Sequence, residues 1–146
     1  MLVGQILNTK APGVISVTPG QTMVEVLRLF KENNIGFVVV SRSSGKYLGT
    51  LSERDCCNAV AKYGTAAPMM RVADIMNGSV ATCSALDRLP LVMAIMTEQR
   101  TRHVLVMQGD TPVGVVSIGD VVKHRLDELL LNEQVLCEYI AGTGYH

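Results

Sequence analysis

Two hydrophobic periods alternate along this chain, and the alternation runs through twice. A short apolar turn, VGQIL at 3–7, is followed by a brief strand-like stretch near Ile15–Val17 and by apolar positions at helical spacing near Met23–Asn33. Two apolar runs come next, Phe37–Ser41 and Tyr47–Leu51, separated by the turn material RSSGK. A second helical stretch then opens at GTLSERD, 49–55. The same order returns as VADIM at 72–76, a brief strand near Val80–Cys83, a helix near Leu89–Arg100, and strands Val104–Gln108 and Val113–Val116 around GDTP. It ends in GVVSIGD at 114–120 and another helix. The spacing between matching positions falls from 69 (Val3 to Val72) through 66 to 65 (Ser52 to Ser117), so the copies differ by small loop changes.

Each copy therefore predicts a β-α-β-β-α unit, with Thr22 and Asp87 as candidate N-caps and Pro90 tolerated in a first helical turn. A unit of this size buries too little surface to be comfortable alone. The pattern predicts an α/β (α+β) fold in which two units pack sheet against sheet about a pseudo-twofold axis, leaving two equivalent clefts between them. The expected limits are 1–63 for the first unit, 64–71 for a join, 72–131 for the second unit and 132–146 for a C-terminal helical extension.

Two stretches carry more apolar surface than such a pair needs. LPLVMAIM at 89–96 is apolar on every helical face. From Val121 to Ala141 neither Pro nor Gly interrupts, and Val122, Leu126, Leu129, Val135, Leu136 and Ile140 form a band. Contact with a second copy is expected; a helix wholly buried inside one chain is the alternative for 89–96.

Composition narrows the class. Of 146 residues 48% are hydrophobic, enough for a packed core, and 13 Lys and Arg balance 13 Asp and Glu. No global field recruits nucleic acid or an anionic membrane. No apolar run approaches the roughly 20 residues of a membrane helix, and MLVGQILNTK lacks the pattern of a secretion signal. A cytoplasmic protein is expected. Cys56, Cys57, Cys83 and Cys137 form no CxxC and no zinc spacing, so reduced structural thiols are expected, with a redox-sensitive Cys56–Cys57 pair as the alternative.

The chemistry concentrates in the doubled Gly-x-x-Ser-x-x-Asp turn. Ser-x-x-Asp before a helix is a capping-box pattern, and Gly49 and Gly114 would permit close strand packing. The same geometry also suits a ligand. A helix N-terminus offers unpaired N–H groups to phosphate. Ser52 or Ser117 adds a hydroxyl, and Asp55 or Asp120 can accept from ribose hydroxyls, as acidic residues do in dinucleotide folds. Taken together these groups suit a ribose-phosphate better than a bare anion. Cations lie nearby: Arg54 inside the first turn, Arg100, Arg102 and His103 before the Val104 strand, and Lys123 and His124 after the second turn. Gly36 and Phe37 stand in the first copy where Arg102 and His103 stand in the second, so the clefts are expected to be chemically unequal.

With these residues in view, the chain resembles tandem CBS domains (cystathionine β-synthase domains), the pair called a Bateman module. The likeness covers residues 2 to about 131 and is carried by NNIGFVVV, LGTLSERD, RTRHVLVM and PVGVVSIGDVVK. It implies a regulatory sensor of adenosine nucleotides, AMP first, then ADP, ATP or NAD(H), with S-adenosylmethionine as an alternative. By resemblance Ser52 and Ser117 match the hydroxyl near phosphate, and Asp55 and Asp120 the acid that holds ribose. Arg54, Arg102 and His103 match frequent phosphate contacts, and Val14, Ile15, Ser79 and Val80 the wall around adenine. The resemblance also implies a homodimer. The pattern departs where Leu105 replaces a proline and where Cys56, Cys57 and Asn58 follow the first turn.

An enzyme is not expected. The turn is no G-x-S-x-G elbow, and no P-loop, paired carboxylates or metal cluster is present. No catalytic cofactor or metal is implied. A protein–protein module whose turns are only caps remains the other class, and neither reading names the regulated partner.

Overall fold

The computed structural model describes residues 1–142 of the chain; the last four residues of the 132–146 extension lie outside them. The elements follow the doubled pattern. The first set is α1 (Val3–Leu7), β1 (Ser16–Val17), α2 (Met23–Asn33), β2 (Phe37–Ser41), β3 (Tyr47–Ser52) and α3 (Glu53–Tyr63). After a 3-10 turn, Gly64–Met69, come α4 (Val72–Ile75), β4 (Thr82–Cys83), α5 (Leu89–Gln99), β5 (His103–Gln108), β6 (Thr111–Ser117) and α6 (Ile118–Ile140). Each copy makes a three-stranded sheet, β1-β2-β3 and β4-β5-β6, with one parallel and one antiparallel pairing.

Local chemistry explains the boundaries. Thr22 caps α2 in a full capping box with Glu25, and Asn34 ends that helix in the left-handed region at φ 54°. Arg100 ends α5 in the same way at φ 51°, which marks it as the structural counterpart of Asn34. The expected cap of α5 requires correction. Arg88 occupies the N-cap position, and Asp87 sits one residue too early, its carboxylate accepting from Ser84 N at 2.7 Å. Pro90 lies in the first turn as expected.

The copies exchange their first helices. Val3 and Ile6 of α1 are buried with Cys83, Leu89, Val92, Val104 and Val116, the core of the second sheet. Val72 of α4 is buried with Val17, Met23, Val26, Val38 and Leu51, the core of the first. Matching backbone bonds fasten the exchange: Val3 N donates to Asp87 O at 2.9 Å, and Val72 N to Gln21 O at 2.8 Å. Neither core closes without a helix supplied from the other copy. The segment between the copies is part of the packing as well, since Ala67 is fully buried.

The exchange also explains the turn glycines. A Cβ on Gly49 would stand 2.5 Å from the backbone oxygen of Asn77, and one on Gly114 would stand 2.6 Å from the Leu7 side chain. Gly49 lets the segment after α4 cross the sheet edge at close range, and Gly114 lets the last residue of α1 do the same on the other sheet.

The long helix leaves an apolar face open. Leu126, Leu129, Val135, Leu136 and Ile140 of α6 are all more than half exposed, as is Val122. On α5, Val92 and Met96 are buried while Leu91 is about half exposed, so one chain does not cover every face of that helix.

Candidate functional site

Two cavities flank the junction of the copies. The first, cleft A, has a volume of about 620 Å³ and the second, cleft B, about 630 Å³. Each is built from both copies, and Gly36, Phe37 and His103 line the two in common. Phe37 and His103 stand opposite Ser52 and Ser117 in their hairpins, so each doubled turn is delivered beside the shared ring pair.

Cleft A gathers Ser52, Arg54 and Asp55 from the first copy with Ser79, Val80, Arg102 and His103 from the second. Arg100, Thr50, Asn77 and Cys57 also line it. The turn is a true cap: Asp55 N donates to Ser52 Oγ at 3.2 Å, and Ser52 N and Oγ donate to Asp55 Oδ2 at 2.9 and 3.0 Å. Arg54 reaches across the junction and donates to Arg100 O at 2.8 Å. The sequence places Arg54 in one copy and RTRH in the other; the fold brings both to one cleft, because the α3 N-terminus of the first copy faces the β5 entrance of the second.

Cleft B gathers Val14, Ile15, Ser117 and His103 with Lys10, Asn34 and Gly36. Its walls are poorer in charge. Gly119 stands where Arg54 stands in the other turn, and Asn34 and Gly36 take the places of Arg100 and Arg102. Ser117 caps α6 as Ser52 caps α3, with Asp120 N donating to Ser117 Oγ at 3.2 Å. Asp120 is set behind Lys10, whose ammonium donates to Asp120 Oδ2 at 2.7 Å and to Val115 O at 2.8 Å.

Register fixes which wall residues correspond. Val39 N donates to Ile15 O and Leu105 N to Ala81 O, so Ala81 is the counterpart of Ile15 and Val80 that of Val14. Ile15 is 40% exposed, so that wall of cleft B is uncovered. Two basic residues singled out in the sequence lie elsewhere. His124 is buried, with Nε2 3.5 Å from Thr9 Oγ1, and neither it nor Lys123 lines either cleft. Lys10 gave no motif signal: it is a single lysine in a loop, and only the swap of α1 carries it to the second turn.

Electrostatics follow from these contacts. Burial pulls the His103 imidazole below its ordinary pKa, with Lys10 and Arg102 adding to the shift and Asp120 opposing it. Burial raises the Asp120 carboxyl, but hydrogen bonds from Lys10 and from the Ser117 backbone outweigh it and leave the pKa lowered. Burial first, then Asp55, pushes the Cys56 thiol up to about 12, which keeps it protonated. All four cysteines are free, and no three metal-ligating side chains cluster among the described residues.

A pseudo-twofold pair of βαββα units with swapped first helices and paired inter-unit clefts defines a class of regulatory modules. The chain belongs to the CBS domain family, whose model matches residues 3–62 and 72–127. It is 30% identical over 132 residues to the mitochondrial CBS domain-containing protein CBSX3 of Arabidopsis thaliana, covering 88% of this chain but 64% of that protein. It is 23% identical to the CBS domain-containing protein YhcV of Bacillus subtilis, covering 85% of this chain and 87% of that one. The crystal structure of a CBS-domain containing protein from Agrobacterium tumefaciens superposes with a TM-score of 0.81 at 36% identity, over 85% of this chain and 92% of that one. A CBS-domain protein from Burkholderia ambifaria superposes with a TM-score of 0.80 at 30% identity, over 87% and 95%. Among the described residues no helix is long and apolar enough to cross a membrane.

Proposed function

We propose that this chain is a regulatory module that senses an adenosine nucleotide and has no chemistry of its own. AMP is the leading ligand, with ADP, ATP and NAD(H) as alternatives, and its working compartment is the cytoplasm. The observation that carries the reading is the convergence in cleft A of Arg54, Arg100 and Arg102 with the Ser52–Asp55 helix start and the Val80–Ala81 wall. A helix N-terminus and guanidinium groups favour a phosphate. Asp55 holds only capping contacts, which leaves its Oδ1 able to accept from a ribose hydroxyl. The apolar wall suits a base. A ligand held by both copies can shift their relative arrangement to the extent that it binds two arrangements unequally. The output is a partner protein or the shape of an assembly.

The test is thermal unfolding with AMP, ADP, ATP, NADH and S-adenosylmethionine. Ligand at about 100 times its Kd should stabilise the fold by about 2.7 kcal/mol. No shift with any of the five would leave the turns as caps alone and make this a protein–protein module.

A second copy is the proposed assembly partner. A groove of about 640 Å³ between α2 and α3, lined by Met23, Leu27, Phe30, Ile35 and Val60 among others, supports this, as does the open face of α6. Light scattering at micromolar concentration should give twice the chain mass; a monomer there overturns the assembly.

A further inference from the structure

We propose that Lys10 is a built-in occupant of cleft B, so that one chain takes a single anionic nucleotide, in cleft A, while cleft B stays closed. The inference rests on the nucleotide reading above and concerns which of the two sites is competent.

Three observations carry it. The first is where Lys10 comes from. Between Leu7 and the wall residue Val14 the first copy has six residues, 8–13, where the second has three, 77–79, between Met76, the counterpart of Leu7, and the wall residue Val80. Lys10 lies in the longer loop and has no counterpart in cleft A. The second is what it bonds. In cleft A the Thr50 carbonyl accepts from the backbone N–H of Asn77 at 2.8 Å. In cleft B the matching carbonyl, that of Val115, accepts instead from the Lys10 ammonium at 2.8 Å. A side chain has replaced a backbone rung, and its remaining reach ends on Asp120 at 2.7 Å. The third is what this hides. Asp55 lines cleft A, whereas Asp120 does not line cleft B and Lys10 does.

The energetic consequence follows from the type of bond. In cleft A the carboxylate is shared with a neutral hydroxyl, Ser52 Oγ, which can rotate away. In cleft B a ribose hydroxyl must compete with a charge-assisted bond to an ammonium, which is about twice as strong as a neutral one. Displacing Lys10 would also take from Val115 O its donor, which water would have to replace. Phosphate offers no compensation, since Arg54, Arg100 and Arg102 are replaced by Gly119, Asn34 and Gly36. Among the described residues lining cleft B, Lys10 is the sole Lys or Arg, and it is already paired.

Isothermal titration calorimetry with AMP and with adenosine tests this on the intact chain. Wild type should bind one AMP per chain, and Asp55→Asn should abolish it. Lys10→Met should add a second site, and that site should take adenosine and AMP within about twofold of each other, since no cation remains there to read the phosphate. Lys10→Met with Asp120→Asn should return the stoichiometry to one. Two equal AMP sites in the wild type, or a Lys10→Met variant that unfolds at the wild-type temperature yet keeps one site, overturns the proposal while leaving the nucleotide reading intact. A Lys10→Met variant that fails to fold is replaced by Lys10→Gln, judged by the same count. No binding of AMP or adenosine to wild type or to either Lys10 variant defeats both readings.

Discussion

The rings of Phe37 and His103 stack 4.7 Å apart, centroid to centroid, with planes 20° from parallel. They are counterparts in the two copies, each opening the central strand of its sheet, so the pseudo-twofold axis passes between them. Both line both clefts. The pair forms a wall shared by the two clefts.

The stack should be measurable as a coupling. A double-mutant cycle of Phe37→Ala and His103→Ala, read by denaturant unfolding, should give an interaction of roughly 0.5–1.5 kcal/mol. Strict additivity would mean that the rings merely adjoin.

His103 sets a pH dependence near neutrality. Its folded pKa lies below the ordinary value of 6.5, so the unfolded chain takes up the proton first as pH falls. Stability from the neutral ring is full above 6.5 and is lost below it, down to the folded pKa. The melting temperature of wild type should fall more between pH 7.5 and 5.5 than that of His103→Phe, which keeps a ring and removes the titration. Equal slopes would contradict the assignment.

Asp120 acts in a more acidic window. Its folded pKa is held below the ordinary 3.8, so its contribution is present above that value and lost as pH falls through the lower folded one. Lys10→Met removes the bond from the ammonium and should make acid unfolding begin at higher pH. An unchanged acid limb would show that Ser117 alone holds the carboxylate.

The two turn glycines should differ in cost. Gly49→Ala drives a Cβ against the Asn77 backbone, which has no rotamer to yield, and should cost roughly 1–3 kcal/mol or more. Gly114→Ala meets only the Leu7 methyl groups, which can turn aside, and should cost less. Chemical denaturation of both variants checks the order; equal losses would place the strain elsewhere.

Much of this architecture could be read from the chain. Helical spacing, turn residues and the capping chemistry of Thr22, Ser52 and Ser117 are local, and local rules placed α2 and β2 at their observed limits. The Asp87 cap failed because the local signal was right in type and one residue early: the carboxylate is spent on Ser84 in the preceding turn. The inequality of the clefts was also visible, in Gly36 and Phe37 against Arg102 and His103. Its direction was only half visible, since Arg54 and RTRH belong to different copies and nothing along the chain says that they share a cavity.

By itself, then, the sequence determined the doubled unit, its elements, its caps and the set of groups able to meet a ribose-phosphate. All of these depend on neighbours within a few residues, and periodicity records such neighbours. Only the tertiary structure decided how the groups are shared out. Exchange of α1 and α4 sends each copy's first helix into the other's core and lays Lys10 across Asp120, while the α3 N-terminus facing the β5 entrance draws three arginines to cleft A. Those contacts join residues as far apart as 10 and 120, and they are set by which apolar faces must be buried together, not by any local rule.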